Sequence, residues 1–351
     1  MGKLSFASDY MEGAHEAILS RLREINYEKM QGYGTDALSE QARKKIRGAC
    51  GCPDADVFFL VGGTQTNATV IHALLRSYEG VVAAVSGHIS THEAGAIELG
   101  GHKILTLPEH EGKISATELR EMLLHYELDE TRDHMVKPGM VYISHPTEAG
   151  TLYTRSQLRA ISRVCREFGL PLYLDGARLA YGLACQSSDV SLEDLAELCD
   201  VFYIGGTKCG ALFGEAVVIP RRGLIPQFFT IMKQHGALLA KGWLLGLQFD
   251  VLFTDGLYLE IGKAAIAAAD RIRAALREYG YRLYCETPAN QMFVILENAQ
   301  MKRLTELVEF SFWEKYDDTH TVIRFATSWA TTEADTEKLI AVLKDSAVLW
   351  K

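Results

Sequence analysis

Between about residues 56 and 220 the chain alternates short apolar runs with helical stretches, and no other feature constrains its fold so strongly. The runs fall at 56–61, 81–85, 103–107, 140–144, 172–174, 201–204 and 216–219. They are apolar at successive positions, as strands buried on both faces are, and helical connections make neighbouring strands parallel. The expected fold is therefore α/β, a mainly parallel sheet covered by helices on both sides. Beyond residue 220 the rhythm changes. Residues 236–279 predict one long helix or two in succession. Strands are expected at 281–285, 292–296, 310–315 and 321–326, and a last helix at 332–349. Near the start, Ala14, Ile18, Leu22 and Ile25 share one helical stripe, which the Gly32-Tyr33-Gly34 break stops. The expected organisation is an N-terminal arm and helix over 1–30, a large domain over 31–250 and a small C-terminal α+β domain over 251–351.

The 351 residues carry 36 basic and 45 acidic side chains, a net charge of −9, so nucleic acid and anionic membranes are poor partners. An anionic ligand must then meet local positive groups. Seven cysteines, an odd number with only Cys50-Gly51-Cys52 closely spaced, suit reduced thiols and argue against a structural zinc site. Met1 to Ser5 lacks the start of a secretion signal, and the most apolar stretch, 236–253, is interrupted by Lys241 and Asp250. A cytoplasmic protein is the expectation.

Three segments place chemistry at strand ends. In Val61-Gly62-Gly63-Thr64 a glycine turn enters a helix, whose free N–H groups and positive end suit a phosphate. It matches neither the dinucleotide nor the nucleoside triphosphate glycine motif, and alone it reads equally as a tight turn capped by Thr64. Leu174-Asp175-Gly176-Ala177-Arg178 sets a carboxylate where open α/β sheets bind ligands, with an Asp175–Arg178 ion pair as the plain alternative. Gly205-Gly206-Thr207-Lys208-Cys209 sets a lysine in a turn of small residues. An enclosed site with a neighbouring cation keeps such an amine uncharged and able to form an imine; a solvated lysine is the plain alternative. Together these are the parts that pyridoxal phosphate requires, one each for its phosphate, its protonated ring nitrogen and its aldehyde.

The ordered set Phe6-Ala7-Ser8-Asp9, Tyr33-Gly34-Thr35-Asp36, Gly63-Thr64 with Asn67, His88-Ile89 followed by Glu93, Asp175-Gly176-Ala177-Arg178-Leu179, Lys208 and Ile323-Arg324-Phe325-Ala326-Thr327 carries a resemblance. Over nearly its whole length the chain resembles the threonine aldolase and β-eliminating lyase branch of fold-type-I pyridoxal phosphate enzymes, most closely low-specificity L-threonine aldolases. The resemblance implies an aspartate aminotransferase-like large domain and the cleavage of L-threonine, L-allo-threonine or related β-hydroxy-α-amino acids to glycine and an aldehyde. It implies that Lys208 forms the imine, Asp175 pairs with the ring nitrogen, Gly63 and Thr64 hold the phosphate, and Asn67 contacts the cofactor. His88 is implied to stack on the ring and, itself or through a water, to take the hydroxyl proton. Arg324, with Arg178 and Ser8, is implied to hold the substrate carboxylate, which suits a planar guanidinium. Lys241 is implied to reach a phosphate across a subunit boundary in a homodimer or homotetramer, and Tyr33 either faces the ligand or packs between its glycines.

Three departures bear on chemistry. Gly-Gly-Thr-Lys208-Cys-Gly replaces Ser-Leu-Ser-Lys-Gly-Leu-Gly; Thr147, in Ser144-His145-Pro146-Thr147-Glu148, falls where many aldolases have histidine; and Tyr10 follows Asp9. β-Elimination of a hydroxy amino acid is the nearest alternative. A metal hydrolase using His88, His92 and a carboxylate is the alternative from another class, although no third ligand is evident and no metal is expected. A third alternative is a protein that binds the cofactor without catalysis. Cys209 is expected to pack, and Trp243, Trp313 and Trp329 to lie in core or subunit contacts.

Overall fold

The computed structural model describes residues 3–349, so Met1, Gly2, Trp350 and Lys351 lie outside it. In chain order the strands are β1 (Leu4–Ser5), β2 (Asp56–Leu60), β3 (Glu79–Ala84), β4 (Ile104–Leu107), β5 (Lys137–Ser144), β6 (Leu172–Asp175) and β7 (Val201–Gly205). There follow β8 (Glu215–Ile219), β9 (Arg282–Leu283), β10 (Gln291–Glu297), β11 (Val308–Glu309), β12 (Ser311–Lys315) and β13 (His320–Ala326).

All seven apolar runs are strands of one sheet, in the order β2-β8-β7-β6-β5-β3-β4. Only β8 is antiparallel, to both β2 and β7. Two reversals restore the direction, so β2 points the same way as β3, β5, β6 and β7, and their carboxyl ends share one edge. Alternation along each strand divides the side chains between two cores. Val141, Ile143, Leu172, Leu174, Phe202 and Ile204 face one side, packed by helices that include Arg155–Glu167 and Trp243–Leu252. Met140, Tyr142, Tyr173, Val201 and Tyr203 face the other, covered by Gly63–Leu74 and Phe228–Gln234. Burial on both faces explains why the runs are continuously apolar. Each fully buried Leu or Ile contributes about 1.5–3 kcal/mol, enough for the sheet rather than local propensity to set the strand ends.

The region 236–279 forms two helices, Trp243–Leu252 and Leu257–Glu278. They break where Asp255 and Gly256 both adopt positive φ, 50° and 76°, a turn that Asp-Gly favours. A second, antiparallel sheet has the order β12-β13-β10-β9, with Arg324 of β13 opposite Phe293 on one side and Ser311 on the other. The N-terminal arm docks here. β1 pairs with β11, and Phe6 is tied through its backbone to Glu309 and Ala326.

Candidate active site

The strand ends converge on a cleft of about 140 Å³ lined by Gly63, Thr64, His88, Ser144, Glu148, Asp175, Arg178, Tyr203, Thr207, Lys208 and Glu215, among others. Asp175 ends β6 on the same face as Tyr173. Its carboxylate accepts hydrogen bonds from Tyr142 Oη at 2.7 Å, Asn67 Nδ2 at 3.0 Å, the Ala177 N–H at 3.0 Å and Tyr203 Oη. Burial opposes ionisation, but His88 and these donors outweigh it and hold the carboxyl below its usual range. The tyrosines are pushed well above theirs, chiefly by burial and then by the Asp175 charge, so they remain donors. Gly176 is required here because a Cβ would collide with the Tyr203 carbonyl where β6 and β7 part.

His88 starts the short helix His88–Thr91 after β3. Its Nδ1 meets Glu93 Oε1 at 2.8 Å, and Asn67 Nδ2 donates to that same oxygen at 2.7 Å. Burial disfavours the imidazolium, yet Glu93 and Asp175 prevail and raise the His88 pKa. His88, Glu93 and Asp175 present ligand atoms within 4.8 Å of one another, a carboxylate-rich setting that His88 and His92 alone did not foretell. The Asn67 amide, however, donates to both carboxylates, leaving only Glu93 Oε2 buried without a partner among the described residues, and His92 stacks on Trp313 at 6.1 Å instead of joining the group. The donor set therefore fits an anchored histidine better than a metal centre.

Lys208 follows β7 and is no solvated surface lysine. Burial and the neighbouring Arg178 lower its pKa, which favours the neutral amine. Cys209 behind it is wholly buried, as expected for a packing residue. Across the cleft, the helix Gly63–Leu74 is capped by Gly62 with no side-chain cap bond. Thr64 is thus not the cap but lies in the first turn, and the first N–H groups of the helix point to the edge that Lys208 and Asp175 share. These features fit pyridoxal phosphate: unpaired helix-end donors for a phosphate, a buried carboxylate held toward its ionised form and an amine held toward its neutral form around one cavity.

Arg178 does not pair with Asp175. Its Nε and Nη2 bind Asp9 at 2.6 and 3.0 Å, and Asn290 Nδ2 donates to the same carboxylate at 2.9 Å. Burial opposes the Asp9 charge, but Arg178 and Lys208 lower its pKa to about 2. Arg178 therefore arrives at the cleft already oriented. Arg324 reaches the Ala7 carbonyl at 3.2 Å and Ser311 Oγ at 3.3 Å, leaving Nε buried and unpartnered. Ser8 Oγ, on the docked arm, is likewise buried without a partner. Two orphaned donors, one of them cationic, beside the Arg178 guanidinium are what a carboxylate would satisfy.

Two expected site residues are elsewhere in the chain. Tyr33, at φ 61°, is exposed under the Lys233 ammonium, 4.4 Å from its ring. Its N–H binds the Ala240 carbonyl at 3.2 Å, so the turn is pinned beside exposed Lys241. Neither Tyr33 nor Lys241 lines the Lys208 cleft; Tyr33 borders a different one, of about 370 Å³, with Arg43 and Phe59. Of the tryptophans, Trp313 is no mere packing residue: it lies 5.8 Å from the Arg324 guanidinium and borders a space next to the cleft. Residues without a role in the sequence reading are Tyr142, Tyr203, Glu148 and Glu215. The period-two step from Tyr142 to Ser144, matching Tyr173 to Asp175 on the adjacent strand, was the available signal.

A family model described as beta-eliminating lyase matches residues 5–299. The chain is 30% identical over 351 aligned residues to a low specificity L-threonine aldolase of a Pseudomonas species, with 97% of this chain and 96% of that protein covered. Its structure matches that of a Leishmania major threonine aldolase with a TM-score of 0.94 at 43% identity, over 98% of this chain and 99% of that one. A Thermus thermophilus aspartate aminotransferase variant matches with a TM-score of 0.71 at 15% identity, over 98% of this chain and 91% of that one, which shows a common fold.

Proposed function

This chain belongs to the β-eliminating lyase family, and with that as premise we propose that it cleaves L-threonine, L-allo-threonine or related β-hydroxy-α-amino acids to glycine and an aldehyde. It is a pyridoxal phosphate-dependent carbon–carbon lyase of the threonine aldolase kind. The observation that carries the residue assignment is the Lys208 amine enclosed in one cleft with the buried Asp175 carboxylate, the first held toward its neutral form and the second toward its ionised form. When bound, the cofactor supplies an aldehyde that bonds to amines and a protonated ring that accepts the electron pair left on Cα.

The protein's own residues do the rest. Lys208 offers an amine whose cation burial disfavours, Asp175 a negative charge, and the first turn of Gly63–Leu74 its N–H groups to the phosphate, with Asn67 fixing Asp175 and Glu93. His88, anchored through Nδ1, presents its ring to the cleft. Arg324 and Ser8, with Arg178 held by Asp9, bind the substrate carboxylate and thereby orient the bond to be broken. In this proposal residues 31–250 carry the cofactor, and the carboxylate clamp joins Arg324 of 251–351 to Ser8 of the arm and Arg178 of the large domain.

Assay of L-threonine and L-allo-threonine is expected to yield acetaldehyde and glycine in equal amounts; ammonia with a keto acid in their place would establish β-elimination and retire this reading. Arg324→Ala is expected to lower kcat/KM by about 10²-fold, mainly through KM, and to leave the visible absorption of the cofactor unchanged. Loss of that absorption with KM intact would refute the clamp.

We also propose that Tyr33 and Lys241 serve the cleft of a second copy, which accounts for their exposure on this one. Light scattering should then give a homodimer or homotetramer, and a monomer of full activity contradicts it. Among the described residues no helix is long and apolar enough to cross a membrane. The seven cysteines are free thiols, which supports residence in the reducing cytoplasm.

A further inference from the structure

Thr147, which stands where many aldolases have histidine, cannot replace it. Its side chain is buried, its Oγ1 lies 2.8 Å from Thr151 Oγ1, and it does not line the cleft. The next residue does. Glu148 Oε1 accepts the His88 backbone N–H at 3.0 Å and the Ser144 hydroxyl at 2.6 Å, which fixes the carboxyl group, while Oε2 takes part in neither of these bonds. Glu148 borders two cavities at once, the Lys208 cleft and an adjoining space of about 560 Å³ walled by His92, Tyr284, Cys285 and Trp313. A substituent that leaves Cα for the larger space passes this carboxyl.

His88 is poorly suited to the proton transfer itself. Its Nδ1 is committed to Glu93, and burial notwithstanding, Glu93 and Asp175 favour the imidazolium, which has no lone pair to accept a proton. We propose that Glu148 is the catalytic base that removes the β-hydroxyl proton, with His88 serving as an anchored ring and as the backbone donor that positions Glu148. The inference rests on the aldolase reading. In the step, the hydroxyl O–H bond breaks and its proton goes to Glu148 Oε2. The oxygen forms the aldehyde C=O as the Cα–Cβ bond breaks, and that bond's electron pair stays on Cα. Glu148 then releases its proton to solvent and Cα takes one up, so one hydroxy amino acid gives one glycine and one aldehyde.

The isosteric variant Glu148→Gln keeps an acceptor for His88 N–H and Ser144 but removes the base. It is expected to lower cleavage of L-threonine and L-allo-threonine by about 10²–10³-fold. Exchange of the α-hydrogen of glycine for deuterium, followed by NMR, involves no hydroxyl and should stay within about threefold, as should the cofactor's visible absorption. The groups facing Glu148 are His88, Ser144, Asp175, Arg178, Tyr203, Lys208 and Glu215 in the cleft, His92, Glu109, Glu111, Tyr284, Cys285 and Glu314 in the adjoining space, and Tyr142 and Tyr153. Burial, only partly offset by Ser144, raises the Glu148 pKa. Wild-type kcat/KM should therefore fall as pH drops through a value above the usual carboxylate range, and the Gln variant should lack that limb. Unimpaired cleavage, an equal fall in cleavage and glycine exchange, or loss of cofactor from the variant would each overturn the assignment, the last two by making Glu148 a positioning residue. A wild type that exchanges glycine hydrogen yet releases no aldehyde from any hydroxy amino acid retires the aldolase reading itself, whereas active wild type with active variant retires Glu148 alone.

Discussion

Lys208→Ala abolishes cleavage, by about 10³-fold or more, and with it the visible absorption of lysine-bound cofactor. The expectation follows from what the fold does to this amine. β7 delivers it to the edge of the sheet, and the Gly205-Gly206 turn lets the backbone lie close to Ala177 and Gly214. Burial, together with Arg178, then strips the ammonium of its usual advantage. A solvated lysine would be almost wholly charged at neutral pH and a poor nucleophile. Stability should hardly change, because Lys208 Nζ makes no salt bridge among the described residues, and an amine whose cation burial and Arg178 already disfavour gives up little when truncated. The check is twofold: the absorption spectrum of the purified variant after incubation with pyridoxal phosphate, and its melting temperature beside the wild type. A variant that keeps the visible band and measurable turnover disproves covalent attachment at 208. One that melts far lower shows the lysine to be structural.

The sheet was readable from sequence because its strands are buried on both sides, so apolar residues fill successive positions and the polar residue that ends each run stands out. Asp175 and Lys208 were legible for that reason. The tyrosines were not. Within 140–144, 172–174 and 201–204 a tyrosine looks like any other core residue, and only the pairing of Tyr142 with Tyr173 in register reveals that hydroxyls gather around one carboxylate. The Asp175–Arg178 ion pair, the plain alternative in the sequence, fails because closeness along the chain is not closeness in the fold. Asp175 is its near neighbour in sequence, but the arm that carries Asp9 folds back across the molecule to β13 and supplies the real partner. Glu148 stays in the background because nothing local distinguishes a half-buried glutamate in a loop from a solvated one. Its neighbours, the His88 backbone and a second cavity, come from elsewhere in the fold.

Asp175→Asn separates the electronic role of this carboxylate from its architectural one. Tyr142, Tyr203, Asn67 and the Ala177 N–H all donate to it, and it accepts from each without a proton of its own to give. An asparagine of the same shape keeps one acceptor oxygen but turns an NH₂ toward donors, leaving at least two of them facing hydrogen atoms. It also removes a negative charge that, with Glu93, raises the His88 pKa, so that pKa should fall. The expected fall in cleavage is about 10²–10³-fold, the size seen when a fixed charge that stabilises a transition state is lost. Lys208 is untouched, so the cofactor should still attach. Since buried donors are left unpaired, stability should drop by about 1–3 kcal/mol, readable as a lower midpoint in urea. Asp175→Glu tests the alternative that charge alone matters, for it restores the charge with a longer reach. If Asn at 175 cleaved L-threonine as fast as the wild type while only its stability fell, the carboxylate would be scaffolding for the tyrosines, and the electron-accepting role assigned to the ring beside it would need another source of positive charge.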